Sequence, residues 1–180
     1  PHGDAVKSVF ESLTSDQLQR TLYFDLADPN IDLGYNPLKK VAENKKSLIT
    51  SSILEIFKRN WKSAWGLKME HILRQIILTL IAQPYADFSS IPKILLEAQY
   101  RADCLCNITD EDLKRFWNLE FPKYKPNDLL PILNKTGAFL AHPIIKKVLL
   151  ENKKQVSFRK AMDEGKIILF NLSKGSVGSD

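Results

Sequence analysis

A chain of 180 residues with 44% apolar and 26% charged content has the balance of an ordinary globular fold, with length for one core and at most a small appendage. Low-complexity and fixed-period repeat architectures are excluded, and the longest apolar stretch, Ile76–Ala82, is far short of the roughly 20 residues a membrane helix needs. The net charge of +5 is uneven: residues 39–74 hold nine Lys and Arg against three acids, residues 146–160 six against one, and residues 1–38 two against six.

In chain order, Pro1-His2-Gly3-Asp4 reads as a turn of the kind that follows a strand, with Asp4 capping a short helix over Ala5–Leu13. Thr14–Arg20 reads as a polar connector, and Thr21–Leu26 as a short apolar strand ended by Asp28-Pro29-Asn30. Pro37 biases Asn36 away from helix, so Gly34–Leu38 is expected to be extended or turned. From about residue 40 the pattern becomes helical only. Glu43–Asn60 carries Ile49, Ile53, Ile56 and Phe57 on one face, and Leu67–Gln83 carries Met69, Ile72, Leu73, Ile76, Ile77, Leu80 and Ile81. Trp61 and Trp65 between them read as core wedges. A shorter helix starts near Ser90, with Pro92 tolerated in its first turn.

Thr109 is placed to cap a helix whose first turn holds Asp110, Glu111 and Asp112, and Ile108 and Leu113 are placed for a hydrophobic staple. Leu113, Phe116, Trp117 and Phe121 would line its buried side. After a break over Pro122–Pro126, helix resumes at Asn127–Leu140, and His142-Pro143 opens another through Leu150. Lys153–Phe158 reads as a connector and Phe158–Asp163 as a weak helical turn. Gly165 ends that turn before a second buried strand, Lys166–Leu172.

Such apolar strands do not stand alone in water. The chain therefore reads as a segment of a larger α/β protein, mainly α, with a helical body between two pieces of sheet. The two strands are expected to lie side by side, since an inserted body leaves and rejoins its core at neighbouring points.

Little in the sequence carries chemistry. There is no Gly-x-x-x-x-Gly-Lys-Ser/Thr phosphate loop, and no strand ends in paired acids suited to magnesium. Cys104 and Cys106, two apart, lack zinc-ligand spacing to each other or to His2, His71 or His142, and read as reduced thiols of a cytosolic protein. No metal site and no catalytic residue is expected. The basic stretches suit nucleic acid or an acidic protein surface, and equally a solvated lysine face.

Several phrases, in order along the chain, resemble the middle of a conjugative (type IV secretion) coupling-protein ATPase, one of the HerA/FtsK-like hexameric motors. They are Pro1-His2-Gly3-Asp4, Tyr23-Phe24-Asp25-x-Ala27-Asp28, Tyr35-Asn36-Pro37-Leu38, Ser63-Ala64-Trp65-Gly66-Leu67-Lys68-Met69-Glu70-His71-Ile72-Leu73-Arg74, Leu133-Asn134-Lys135, and the closing stretch from Met162 to Gly175. The resemblance implies a RecA-like α/β core interrupted by an all-α domain. Residues 1–39 would belong to the core, 40–158 to the all-α insertion, and 159–180 to the returning core strand. It implies a parent that is a homo-hexameric ATPase using ATP and Mg, with phosphate loop upstream and magnesium-site acids downstream. The fragment itself would hold no cofactor, would not be an enzyme, and would be monomeric.

The same resemblance puts the insertion in the cytoplasm at the mouth of the ring, with the parent attached to the inner membrane. Its partners there would be a relaxase or relaxosome, effector proteins, or DNA. His2, Gly3, Asp4, Asn171, Ser173 and Lys174 would lie near the nucleotide, at the carboxyl edge of core strands where such sites form. The candidate contacts to DNA or partner are Lys45, Lys46, Lys58, Arg59, Lys62, Lys146, Lys147, Lys153 and Lys154. The alternative to cargo docking is direct binding of single-stranded or duplex DNA by these bases. The lack of interleaved aromatics weighs against a stacking platform.

Overall fold

The computed structural model describes residues 2–26, 28, 30–39, 41–151 and 154–172, and only the backbone of residues 2–4. The described residues are mainly helical with few strands. The chain divides into two compact units, one made of Pro1–Tyr35 with Pro143–Asp180 and the other of Asn36–His142.

The first unit is built on two strands far apart in sequence. Strand β1 (Thr21–Asp25) pairs in parallel with β4 (Ile167–Asn171), placing Thr21 opposite Ile167 and Asp25 opposite Asn171. The expected adjacency of the two strands is thus observed. Parallel neighbours cannot be joined by a tight turn and need a long crossover; here it contains the whole second unit. Phe24, fully buried, centres a cluster with Ile31, Leu33, Val156, Phe158 and Ile168. Helix α1 (His2–Glu11) packs on β4, and Phe10 stacks on Tyr23 at 4.9 Å.

The helix α1 backbone starts at His2, so Asp4 lies inside the first turn instead of capping it. The expected connector contains a short helix, α2 (Ser15–Gln19), closed by a capping box. The Thr14 N–H donates to Gln17 Oε1 at 2.9 Å, and Gln17 N–H donates to Thr14 Oγ1 at 3.3 Å.

A second parallel pair joins β2 (Leu33–Gly34), just before the chain leaves this unit, to β3 (Lys154–Gln155), which lies beyond the point of return at Pro143. Helix α9 (Pro143–Lys146) runs into a wider turn over Lys147–Glu151 that packs on β2, and Tyr35 N–H donates to the Val148 carbonyl at 2.9 Å. The stretch from Pro143 to Phe158, expected in the helical insertion, is grouped with the strand unit, where Val148, Val156 and Phe158 pack on its core, and the helical unit closes at His142. Helix α10 (Phe158–Asp163) is capped by Ser157 and ended by Gly165, whose φ of +64° is the left-handed conformation that glycine adopts without a Cβ clash.

The second unit is helical. Its members are α3 (Lys46–Asn60), α4 (Leu67–Ile81), α5 (Ser90–Leu96), α6 (Ala98–Cys106), α7 (Glu111–Arg115) and α8 (Pro126–Ala141). Helix α4 touches α3, α5, α6, α7 and α8, and all seven of its expected apolar residues are buried. On α3 the buried stripe is Thr50, Ile53, Leu54 and Phe57, while Ile56 is half exposed. The face is rotated from the expected one because Thr50 takes the place assigned to Ile49. Phe57 meets Trp61, Phe88 and Phe139 with ring centroids 5.3–6.3 Å apart. The N-cap of α7 is Asp110, not Thr109, with Oδ1 accepting from the Asp112 and Leu113 N–H groups. Among the described residues no helix is long and apolar enough to cross a membrane.

One buried polar contact fastens α4 to the turn after α7. Trp117 Nε1–H donates to Thr79 Oγ1 at 2.8 Å, and that hydroxyl donates to the Gln75 carbonyl at 2.7 Å. Thr79→Val keeps the volume but leaves a buried indole N–H without an acceptor. A loss of about 1–3 kcal/mol is expected, read as a fall of about 2–4 °C in Tm per kcal/mol for a chain of this size. An unchanged Tm would contradict it.

Candidate functional site

The carboxyl ends of β1 and β4 lie at one edge because the strands run in parallel, and they bring three polar side chains together. Asn171 Nδ2–H donates to Asp25 Oδ1 at 3.0 Å, and the Tyr23 hydroxyl donates to Asp25 Oδ2 at 3.2 Å. Asn171 is 9% exposed, and its Oδ1 is buried without a hydrogen-bond partner. Burial first, and the Asp25 charge second, push the Tyr23 phenol above its ordinary value of 10.0.

Of the residues expected near a nucleotide, Asn171 sits at this strand edge. His2, Gly3 and Asp4 lie on α1, which packs on β4, and their side chains lie outside the description. Ser173 and Lys174 lie outside the described residues. The sequence reading missed Asp25 and Tyr23 as partners of Asn171. The signal available was the alternation of β1, which puts Tyr23 and Asp25 on one face.

The expected basic contacts fall in both units. Lys45 and Lys46 lie at the start of α3, and Lys58, Arg59 and Lys62 at or just beyond its end. At 1.5 Å per residue the two groups are about 20 Å apart. Several bases are engaged locally: Lys46 with Glu43 at 2.7 Å, Arg59 with Glu55 at 3.1 Å, Lys146 with Glu151 at 3.3 Å and Lys154 with Asp32 at 3.4 Å. Among the described residues, Lys45, Lys58 and Lys62 are exposed and in no ion pair. Lys147 also has a partner, and Lys153 lies outside the described residues.

The helical unit also has a cleft of about 430 Å³ that the sequence did not announce. Lys46, Ser47 and Thr50 of α3, Arg74 and Leu78 of α4, and residues 107–110 before α7 line it. Thr50 is fully buried, and its hydroxyl has no hydrogen-bond partner. Arg74 is held loosely, by Ser51 Oγ at 3.3 Å and Glu70 Oε1 at 3.4 Å. Glu70 also accepts from Trp65 Nε1–H at 2.6 Å, the main reason its carboxyl lies below its ordinary value of 4.5. Among the described residues no three His, Cys, Asp or Glu side chains converge as a metal ion would need.

No family model, curated protein or solved structure matches the chain.

The strand-edge cluster has a pH signature. A phenol whose folded value is raised contributes stability that is fully present below the ordinary value of 10.0 and is lost as pH climbs through the raised one. Asp25→Asn removes the charge that opposes phenolate, so Tyr23 is expected to titrate at lower pH in the variant. Tyrosine Cζ chemical shifts across an alkaline titration measure this directly. Asn171→Ala should cost about 1.5–3 kcal/mol, the range for a hydrogen bond to a charged group, in denaturant unfolding. Equal Tyr23 titration in both forms would remove the Asp25 charge from the account.

Proposed function

We propose that the chain is the central segment of a conjugative (type IV secretion) coupling-protein ATPase, and that its helical unit is the cytoplasmic domain that meets cargo before translocation. The observation that carries this reading is the parallel pairing of β1 with β4 around a crossover that holds an entire helical unit. An α/β core interrupted by an all-α insertion has this connectivity, and the bond from Tyr35, where the chain leaves the strand unit, to Val148, soon after it returns, suits neighbouring points of departure and return. The order of family-like phrases along the chain supplies the remaining support.

In this reading the segment does no chemistry alone. ATP and Mg belong to the parent, a homo-hexamer, and Asn171 with the residues beside it faces the nucleotide edge of the core. Cargo is a relaxase, relaxosome or effector protein. The second reading, direct DNA binding through α3, draws on the exposed Lys45, Lys58 and Lys62. The ion pair at Arg59 and the separation of the two groups favour protein cargo over a continuous phosphate track.

Two measurements test this. The gene should encode a Gly-x-x-x-x-Gly-Lys-Ser/Thr segment upstream of Pro1, and a gene without one overturns the motor reading. Labelled single-stranded and duplex DNA titrated against the chain from low to physiological salt separates the two ligands. Phosphate contacts on single strands give a log–log slope of roughly −0.7 per contact, so three exposed lysines would give about −2. Protein cargo as the direct ligand predicts no tight, salt-steep binding, and finding such binding would transfer the role to DNA.

A further inference from the structure

The cleft of the helical unit is a candidate small-molecule site with a largely polar wall and an apolar strip. Its volume of about 430 Å³ lies within the roughly 300–1,000 Å³ of such sites. Leu78, Ile108 and Leu113 give it an apolar lining, and two cations, Lys46 and Arg74, stand on its wall. Three features distinguish it from a solvated groove. The Thr50 hydroxyl is fully buried yet unpaired, a state that costs stability unless something else donates to it or accepts from it. The Arg74 guanidinium has five N–H donors, and its bonds to Ser51 and Glu70 are long, at 3.3 and 3.4 Å. The Lys46 side chain is only 24% exposed, while that of its partner Glu43 is 87% exposed and so easily exchanged for another anion.

We infer that this cleft binds a small carboxylate with an apolar body, its charge on Arg74 and Lys46, a carboxylate oxygen accepting from Thr50, and its carbon chain on the Leu78–Ile108 lining. Two acids also line the cleft, and they set the competing possibility. Asp110 spends one oxygen capping α7, and Glu43 is paired to Lys46. Were these carboxylates dominant, the cleft would select a cation.

Three probes sharing one apolar body and differing in charge decide between them: N-acetyl-leucine, the neutral N-acetyl-leucinamide, and the cationic leucinamide. Each is titrated into isotope-labelled full chain while the amide resonances of Thr50 and Ile108 are followed. N-acetyl-leucine is expected to bind with a Kd of about 2 mM, the value ordinary ligand efficiency gives for its size, and the other two at least about tenfold more weakly. Arg74→Gln should weaken the anion about tenfold, as loss of a charge-assisted bond does.

Thr50→Val guards against misfolding as an explanation. It removes the unpaired hydroxyl, so it should hold or raise Tm, by up to about 2–4 °C, while weakening the anion about fivefold. Equal binding of the neutral probe, tighter binding of the cation, no shift at Thr50 with any probe, or full affinity in Thr50→Val would each overturn the proposal.

Discussion

The parallel pairing of Thr21–Asp25 with Ile167–Asn171 is the constraint from which the rest of the architecture follows. A parallel ladder aligns like ends, so everything between the strands must travel out and back before the second can lie beside the first. It sets Asp25 against Asn171 at one edge and directs both toward Tyr23, giving the strand-end cluster its composition. It also lets α1 cover one face of the pair while Phe24, Phe158 and Phe170 pack together on the other. A short parallel pair is weak alone and depends on both faces being covered.

Much of this was legible because it rests on repeated, strong signals. Helix α4 presents an apolar residue at nearly every inward position, and all seven expected residues are buried. Strands β1 and β4 announced themselves by short apolar runs between turn residues. The failures have specific causes. On α3 the sets 49, 53, 56, 57 and 50, 53, 54, 57 both satisfy helical spacing and hydropathy favours the first, whereas packing buries the second. Asp110 and not Thr109 is the cap, and aspartate is the stronger N-cap residue of the two. The Thr14-x-x-Gln17 capping box was readable, but the five-residue helix behind it offers no full apolar period. Strands β2 and β3, two residues each, are too short for any alternation to register.

The candidate site divides the same way. The sequence located basic stretches correctly as stretches, but linear counts do not show which charges are already spent. Glu43, Glu55 and Glu151 sit within a turn or so of the lysines and arginine they engage. The cleft was invisible because its walls come from three separate stretches of chain, and its marker is a hydroxyl that lacks a partner. Such an absence is a property of packing alone.

The bond between Asn171 and Asp25 spans 146 positions of sequence. Contacts within the helical unit are mostly between neighbours in the chain, such as α3 with α4 and α5 with α6, which form on fast timescales. Loop-closure entropy grows only as about (3/2)RT ln n, so distance itself is not prohibitive. A stretch already condensed into helices also closes a shorter effective loop than a free coil. The first strand is synthesised well before its partner and must wait, that edge unpaired, until the 146 positions separating Asp25 from Asn171 have been added. During that interval Phe24 and its neighbours are an exposed β-rich segment, and the molecule's hazard of mispairing is concentrated there.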